Sequence, residues 1–377
     1  MTVARTPAPL SPLSSGTTST TRDRRTLDRR TLMVRGLQLG GFLAAGPLLA
    51  ACGSSATTVP TATGGSKNFG TVGVRLSWIK NVEFAGAFVA DQKGYYKAAG
   101  FTGPANLIAG GPTATPIESD VLSGTALVGI SSPDITAAAI AQGAPLKIIG
   151  AEYQKNPFCI MSLAAKPISK PQDMYGKTIG VQSANESVWA AFLKANSLDE
   201  SKIHKVPVQF DPLGLTTGEV DGWFSFVTNE PIELTAKGFK TTTMLFADNG
   251  YPLVSEVYVV TQDSIDNNRD KLKAFLAAQA KGWKDAIADP ALPAGYAVNV
   301  YGKDLGLNLA SQTAQSTAQN ALVVNADTKA NGLFTVSDKL LGQSMATLAL
   351  GGSTVTAKQL FDLTLINELY AGDASLK

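Results

Sequence analysis

With 377 residues, 44% of them hydrophobic and 16% charged, the chain is long enough for two domains with separate cores. A net charge of +2, with its basic excess in the first 35 residues, carries no electrostatic footprint for nucleic acid. One histidine, His204, and two cysteines, Cys52 and Cys159, argue against a Cys/His zinc site and a serine–histidine triad.

Residues 1–21 are rich in Ser, Thr, Pro and Ala and lack periodicity. Arginines at 22, 24, 25, 29, 30 and 35 then precede an apolar run over 36–51, which Gly40, Gly41 and Pro47 interrupt. That run is too short and too broken for a membrane span but suits the apolar part of a signal peptide. The stretch LAAC, Leu49 to Cys52, resembles the lipobox of bacterial lipoproteins, which implies a diacylated Cys52 at the head of the mature chain. DRRTLMV resembles a twin-arginine export signal, and Sec export stays open beside it. Residues 1–52 are therefore expected to be a signal peptide, and 53–68, nearly free of large apolar side chains, a flexible tether. With Cys52 acylated, Cys159 is expected to be a buried free thiol.

From residue 70 short apolar runs alternate with helical patterns, the signature of a parallel α/β architecture. TVGVRLSW (71–78) reads as a strand, followed by one helix closed by Gly100. A short helix follows with Thr115 as cap, Pro116 at its first position, Glu118 completing a capping box and Gly124 as stop. After the strand ALVGI (126–130), Ser132 caps a helix that has Pro133 at its first position. PLKIIGAEY and KTIGVQ are strands, and Ser183 with Glu186 form a further capping box before a helix that buries Trp189. KVPVQF, VDGWFSFV (220–227), KTTTMLF and LVSEVYVVT are strands, and beyond residue 262 the pattern is wholly helical.

This order predicts two α/β lobes and a helical C-terminal tail, with crossings near 153–160 and 253–260. Lobe 1 is expected to be discontinuous, 69–155 plus 256–377, and lobe 2 to span 156–255. Strand-to-helix turns of both lobes then face one cleft, because open α/β sheets bind ligands beyond the carboxyl ends of their strands.

The segments WIKNVEFAGAFVADQKGYYKAAGF, DMYGKTIGVQ, GEVDGWFSFVTNEPIELTAKGF and ADNGYPLVSEVYVVT resemble the NMT1/THI5-like (SsuA/THI5-like) family, substrate-binding lipoproteins of ABC transporters, over about residues 70–290. The resemblance implies the type II periplasmic-binding-protein fold, closure on a small ligand without catalysis, and an ABC permease with its ATPase as partners. It also implies an exported protein anchored to the outer face of the membrane through Cys52. The family includes fungal enzymes that make the thiamine pyrimidine by consuming a histidine with pyridoxal phosphate. Those have a histidine where Glu83 stands and a cysteine-rich iron motif without counterpart here. Lys80 is the nearest lysine for a Schiff base, and His204 lies far from it in sequence and reads as a surface residue.

The turns nominate the ligand contacts: Trp78, Asn81, Glu83 and Phe84; Thr113 beside Gly110 and Gly111; Ser131, Ser132 and Asp134; Gln182 and Asn185; Ser225, Thr228, Asn229 and Glu230; and Tyr251, with Asp248 beside it. Asn81, Ser132, Asp134, Ser183 and Glu230 are also what helix capping and the helix dipole favour. Trp223 and Phe224 also read as lobe core. Aromatic faces beside carboxylates and amides suit a flat nitrogen heterocycle, such as a thiamine-pyrimidine precursor or riboflavin, more than a sulfonate or nitrate, which needs positive charge. No metal, cofactor or nucleic acid is called for, and a monomer is expected.

Overall fold

The computed structural model describes residues 67–377. The signal peptide, the lipobox with Cys52 and all but the last two residues of the tether lie outside the described residues.

Ten strands build two five-stranded sheets. They are β1 (Gly73–Arg75), β2 (Asn106–Ile108), β3 (Val128–Ser131), β4 (Leu146–Tyr153), β5 (Phe158–Leu163), β6 (Thr178–Gln182), β7 (His204–Val208), β8 (Gly222–Phe226), β9 (Thr241–Leu245) and β10 (Ser255–Thr261). The first sheet has the order β2-β1-β3-β10-β4 and the second β7-β6-β8-β5-β9. The chain leaves the first sheet after β4, completes the second, and returns as β10. Both sheets are mixed, not parallel throughout as the alternating pattern suggested. β10 runs antiparallel to β3 and β4, and β5 antiparallel to β8 and β9. The reason is the crossing itself: each antiparallel strand is the one that arrives directly from the other sheet, without a helical crossover to reverse it.

Several local expectations need correction. The helix after β1 is not continuous. It is a 3₁₀ turn, Val82–Phe84, then helices Ala85–Gln92 and Tyr95–Ala98, broken at Gly94 in a left-handed conformation (φ 72°). The three-residue strand β2 was not anticipated, because NLI is too short to show a period. Pro116, not Thr115, is the N-cap of Ile117–Leu122, and Glu118 makes no capping box. Its buried carboxylate instead accepts from Ser131 Oγ (2.7 Å) and Thr136 Oγ1 (2.9 Å), partners brought in by tertiary structure. Ser183 and Glu186 form no capping box either: residues 183–185 are a 3₁₀ turn, and Glu186 pairs with Lys205 at 2.6 Å.

In the first core, helix Ala85–Gln92 packs against the 20-residue helix Arg269–Ala288. They touch at glycines: a Cβ on Gly282 would lie 2.1 Å from the Gly86 carbonyl oxygen, and one on Gly86 would strike the Trp283 ring. Close approach is what glycine permits there. Phe88, Tyr258, Phe275 and Trp283 fill the space below. The second core gathers around Trp189, Phe192 and Phe246, the last two stacked at 3.7 Å. Cys159 is buried and free, as expected. The helical tail reaches both sheets' surroundings. Helix Leu309–Val323 lies against the 82–84 turn through Gln312 and Gln319, while helix Asp338–Leu350 holds the return crossing through Ser344 and Thr347. No helix among the described residues is long and apolar enough to cross a membrane.

Candidate ligand-binding cleft

A cavity of about 390 Å³ lies between the two sheets, walled by turns from both. That volume is in the range of small-molecule sites.

The first wall begins where β1 ends. Ser77 and Trp78 sit in the bends that follow, and the chain then closes into the 82–84 turn. Asn81 caps this turn, its side chain accepting from the Glu83 N–H at 3.2 Å. The peptides at Val82 are bracketed from behind. Gln312 Oε1 accepts from the Val82 N–H (2.7 Å), and Gln319 Nε2 donates to its carbonyl (3.1 Å). Gln319 Oε1 in turn accepts from the Tyr153 hydroxyl (3.0 Å). The turn that carries Glu83 into the cleft is thus held from behind, because the N–H and carbonyl of Val82 are both satisfied by one helix.

The second wall comes from the ends of β6 and β8. Gln182 Nε2 donates to the Phe224 carbonyl (3.0 Å), and Asn185 Nδ2 donates to Gln182 Oε1 (2.9 Å). Glu230, first residue of helix Glu230–Ala236, accepts from Ser225 Oγ (2.9 Å) and from the Phe226 N–H (3.0 Å). The walls approach one another at two aromatic pairs: Trp78 meets Phe210 at 4.9 Å between centroids, and Tyr153 meets Phe226 at 6.5 Å.

The floor is made by the crossings, with Phe158 from one and Ser255 and Glu256 from the other. Glu256 has φ 47°, a left-handed conformation inside a strand, just before the register of β10 shifts against β4. Such a conformation costs a non-glycine residue about 1–2 kcal/mol and persists only where the surroundings impose it. Ser77 Oγ lies 3.1 Å from Glu83 Oε1 and 2.8 Å from Glu256 Oε2, so it joins the two carboxyls.

The electrostatics are those of buried acids without a cation. Burial raises Glu83 from 4.5 to about 7, against hydrogen bonds from Ser77 and Asn229 and with the Glu230 charge adding to the rise. Glu256 is pushed well above the usual carboxylate range by burial and by Glu83. Glu152 lies behind them, accepting from the Tyr258 hydroxyl and from Trp283 Nε1 (3.0 Å), and burial raises it to about 7. Burial also raises Glu230. Among the described residues no Lys, Arg or His lines this cavity, and no group of acids is arranged to hold a metal ion.

Of the side chains nominated from sequence, Trp78, Glu83, Ser131, Ser132, Gln182, Asn185, Ser225, Asn229 and Glu230 line the cavity together. Six do not. Asn81 is buried under the turn it caps, and Phe84 points inward to pack edge-on against Phe88 at 6.4 Å. Thr113 is exposed outside the lining, where Gly111 and Pro112 take its place. Asp134 stands one step behind and accepts from Ser132 Oγ, so Ser132 holds the cap position without a side-chain bond to the helix. Thr228 is buried, and Tyr251 belongs to the second core beside Phe246. The neighbouring Asp248 is exposed and paired with Lys155 at 2.6 Å. Trp189 and Trp223 are core, and His204 is exposed. Sequence reasoning missed Ser77, Phe158, Phe210 and Glu256. Glu256 sits in an apolar strand, SEVYVV, and a charged residue in a buried strand was a signal open to notice. Phe158 and Phe210 carry none, because a lone aromatic in a strand or loop reads as core.

These features coincide with the comparisons to known proteins. Residues 81–292 match the family described as NMT1/THI5 like. A riboflavin-binding protein, RibY, of Chloroflexus aurantiacus is 26% identical over 262 residues, which is 64% of this chain and 72% of that one. The aliphatic sulphonate binding protein SsuA of Escherichia coli is 13% identical and superposes with a TM-score of 0.60, over 78% of this chain and 92% of that one. The desulfurization enzyme DSZB shares the fold too, at 12% identity and a TM-score of 0.51 over 80% and 99% of the two chains. Two sheets joined by two crossings, with a cleft walled by the turns of both, are thus the fold of periplasmic binding proteins, and the chain belongs to the NMT1/THI5-like family.

Proposed function

We propose that the chain is the extracytoplasmic substrate-binding protein of an ABC importer, and that its cleft holds a flat heterocycle bearing N–H groups. The carrying observation is the lining: aromatic rings beside Glu83, Glu230 and Glu256, with no cationic side chain among the described residues that face the cavity. Flat rings stack on flat ligands, and carboxylates accept from ring and exocyclic N–H groups. A sulfonate or nitrate meets the opposite conditions, since an anion beside buried carboxylates loses its hydration and gains repulsion. A thiamine-pyrimidine precursor and riboflavin both present the required edge, and the RibY relative supports the second. The pyrimidine-synthase reading is weaker still, because neither Lys80 nor His204 lines the cavity.

The remaining parts of this reading follow from the sequence: two lobes bounded near 155 and 255, a monomer, export, and a lipid anchor at Cys52 from which the tethered receptor meets its permease. Incorporation of labelled fatty acid, lost in Cys52→Ala with release of the protein from membranes, tests the anchor. The ligand reading is tested by thermal shift against riboflavin, an aminopyrimidine, taurine and nitrate, since a ligand raises Tm with the logarithm of its concentration over Kd. A shift with riboflavin or the aminopyrimidine is expected; a shift with taurine or nitrate and none with either heterocycle overturns it.

A further inference from the structure

The Ser77 hydroxyl has one proton, yet it lies within hydrogen-bond distance of a carboxyl oxygen of Glu83 on one side and of Glu256 on the other. It can donate to only one of them. The other contact is a hydrogen bond only if that carboxyl carries a proton and donates to Ser77 Oγ. Both glutamates are only 5% exposed, so hydration satisfies whichever is left over only poorly. Two ionised carboxylates this close in a poorly hydrated site repel strongly, and one proton between them removes both problems.

The elements packed around the pair bring mostly acids and neutral groups to it. Strand β4 contributes Glu152 and the Tyr153 hydroxyl, and β10 contributes Tyr258, which donates to Glu152. The second wall contributes Glu230, whose charge raises Glu83, and Asn229, whose hydrogen bond opposes that rise. Helix Leu309–Val323 contributes only neutral groups, with Gln312 and Gln319 holding the backbone beside Glu83 and no charged residue along its length. Trp283, from helix Arg269–Ala288, donates to Glu152. No cation faces the pair from these elements, and Arg75, buried on the strand that leads to Ser77, is paired with Asp120 at 2.6 Å and donates to the Thr115 carbonyl. Glu256 meets Ser77 while its backbone is left-handed, so the juxtaposition stands together with a conformational cost.

We propose that Glu83, Ser77 and Glu256 form one unit that holds a single proton between two carboxyls, and that this unit reads a ligand edge carrying an N–H beside a ring nitrogen or carbonyl. The carboxylate of the unit accepts the N–H, and its carboxylic acid donates to the ring nitrogen or carbonyl. An aminopyrimidine edge and the imide edge of a flavin both satisfy this pattern. A permanently cationic ring without an acceptor leaves the acid's donor unpaired. The use of the unit rests on the heterocycle reading above, whereas its proton does not.

The two are separable by experiment. Infrared difference spectra of the ligand-free protein in D₂O, wild type minus Glu256→Gln and wild type minus Glu83→Gln, are expected to show a protonated-carboxyl band at neutral pH that fades as pH rises. Differences confined to ionised-carboxylate bands overturn the shared proton whatever the ligand is. For ligand use, riboflavin and 4-aminopyrimidine are titrated calorimetrically across pH. For whichever binds, affinity is expected to fall about tenfold per pH unit once the proton is lost, with about one proton taken up per ligand bound there. In Glu256→Gln, where the amide supplies a donor that does not titrate, Kd is expected to stay flat over the same range. A wild-type affinity independent of pH overturns the role of the unit in recognition. A carboxyl band with no binding of either heterocycle leaves the shared proton standing and overturns the ligand reading instead. Circular dichroism of each glutamine variant guards against misfolding, and Ser77→Ala, which removes a donor that favours the ionised form but no carboxyl, is expected to keep the band to higher pH and to shift its frequency.

Discussion

The two walls of the cleft are built alike and behave differently. Each carries a strand into a turn that bears a glutamate facing the cavity, the buried Glu83 in the first wall and the half-buried Glu230 in the second. Burial raises Glu230 too, but two donors on one oxygen, Ser225 Oγ and the Phe226 N–H, oppose that rise, and it begins a helix whose dipole favours negative charge. Glu83 has a hydroxyl shared with Glu256 and a hydrogen bond from Asn229, against the charges of the acids around it. The comparison teaches that burial alone does not set the chemistry of a carboxyl: the donors supplied to it decide whether it is a fixed acceptor or a group that gains a proton.

The comparison can be broken by exchanging those conditions. The largest effect is expected for Glu83→Ala, which removes an acceptor from a desolvated ligand contact; losses of about 2–5 kcal/mol in such settings correspond to at least a thirtyfold weaker Kd by calorimetry. Equal affinity of Glu83→Ala and wild type would remove this wall from recognition. Trp78→Ala is next, at about tenfold or more, because it deletes one face of the aromatic pair with Phe210; Trp78→Phe should recover part of the loss. Gln319→Ala is expected to cost about 1 kcal/mol of binding, since the Val82 carbonyl loses its donor and the Glu83 turn gains freedom. A structural loss alone would lower Tm without changing Kd, so both are measured.

The pH dependence of stability sharpens the same contrast. Glu83 and Glu152 have folded values raised from 4.5 to about 7, so the folded state binds more protons than the unfolded chain between those values. Stability is therefore complete below about pH 4.5 as far as these groups are concerned and declines as pH rises through about 7. Tm of the ligand-free protein should fall by several degrees between pH 5 and 8, and the fall should be shallower in Glu83→Gln and in Glu152→Gln. The smallest effect is expected at the surface pair Lys155–Asp248, where Asp248→Asn should change Tm by about a degree or less and leave Kd untouched, since exposed ion pairs contribute little.

Much of the cleft was legible because strand-to-helix turns carry their own punctuation. Pro133 and Pro231 mark helix starts, and the residues just before them fell on the lining. Two of the misreadings share one cause. Asn81 and Asp134 are side chains that serve a turn or a neighbouring hydroxyl, and sequence spacing does not say whether such a group also faces the cavity. Glu118 shows the converse: its spacing fits a capping box, but Ser131 and Thr136, 13 and 18 residues away, compete more strongly for its oxygens.

By itself the sequence determined the α/β class, the alternation that yields two sheets, the helical tail and most of the polar groups at the strand ends, because these follow from local periodicity and turn chemistry. Tertiary structure alone decided the mixed sheets, the inward turn of Phe84 and Tyr251, the glutamine bracket on Val82 and the meeting of Glu83 with Glu256. The last two join residues 173 or more positions apart, and no local rule encodes which buried groups will share one proton.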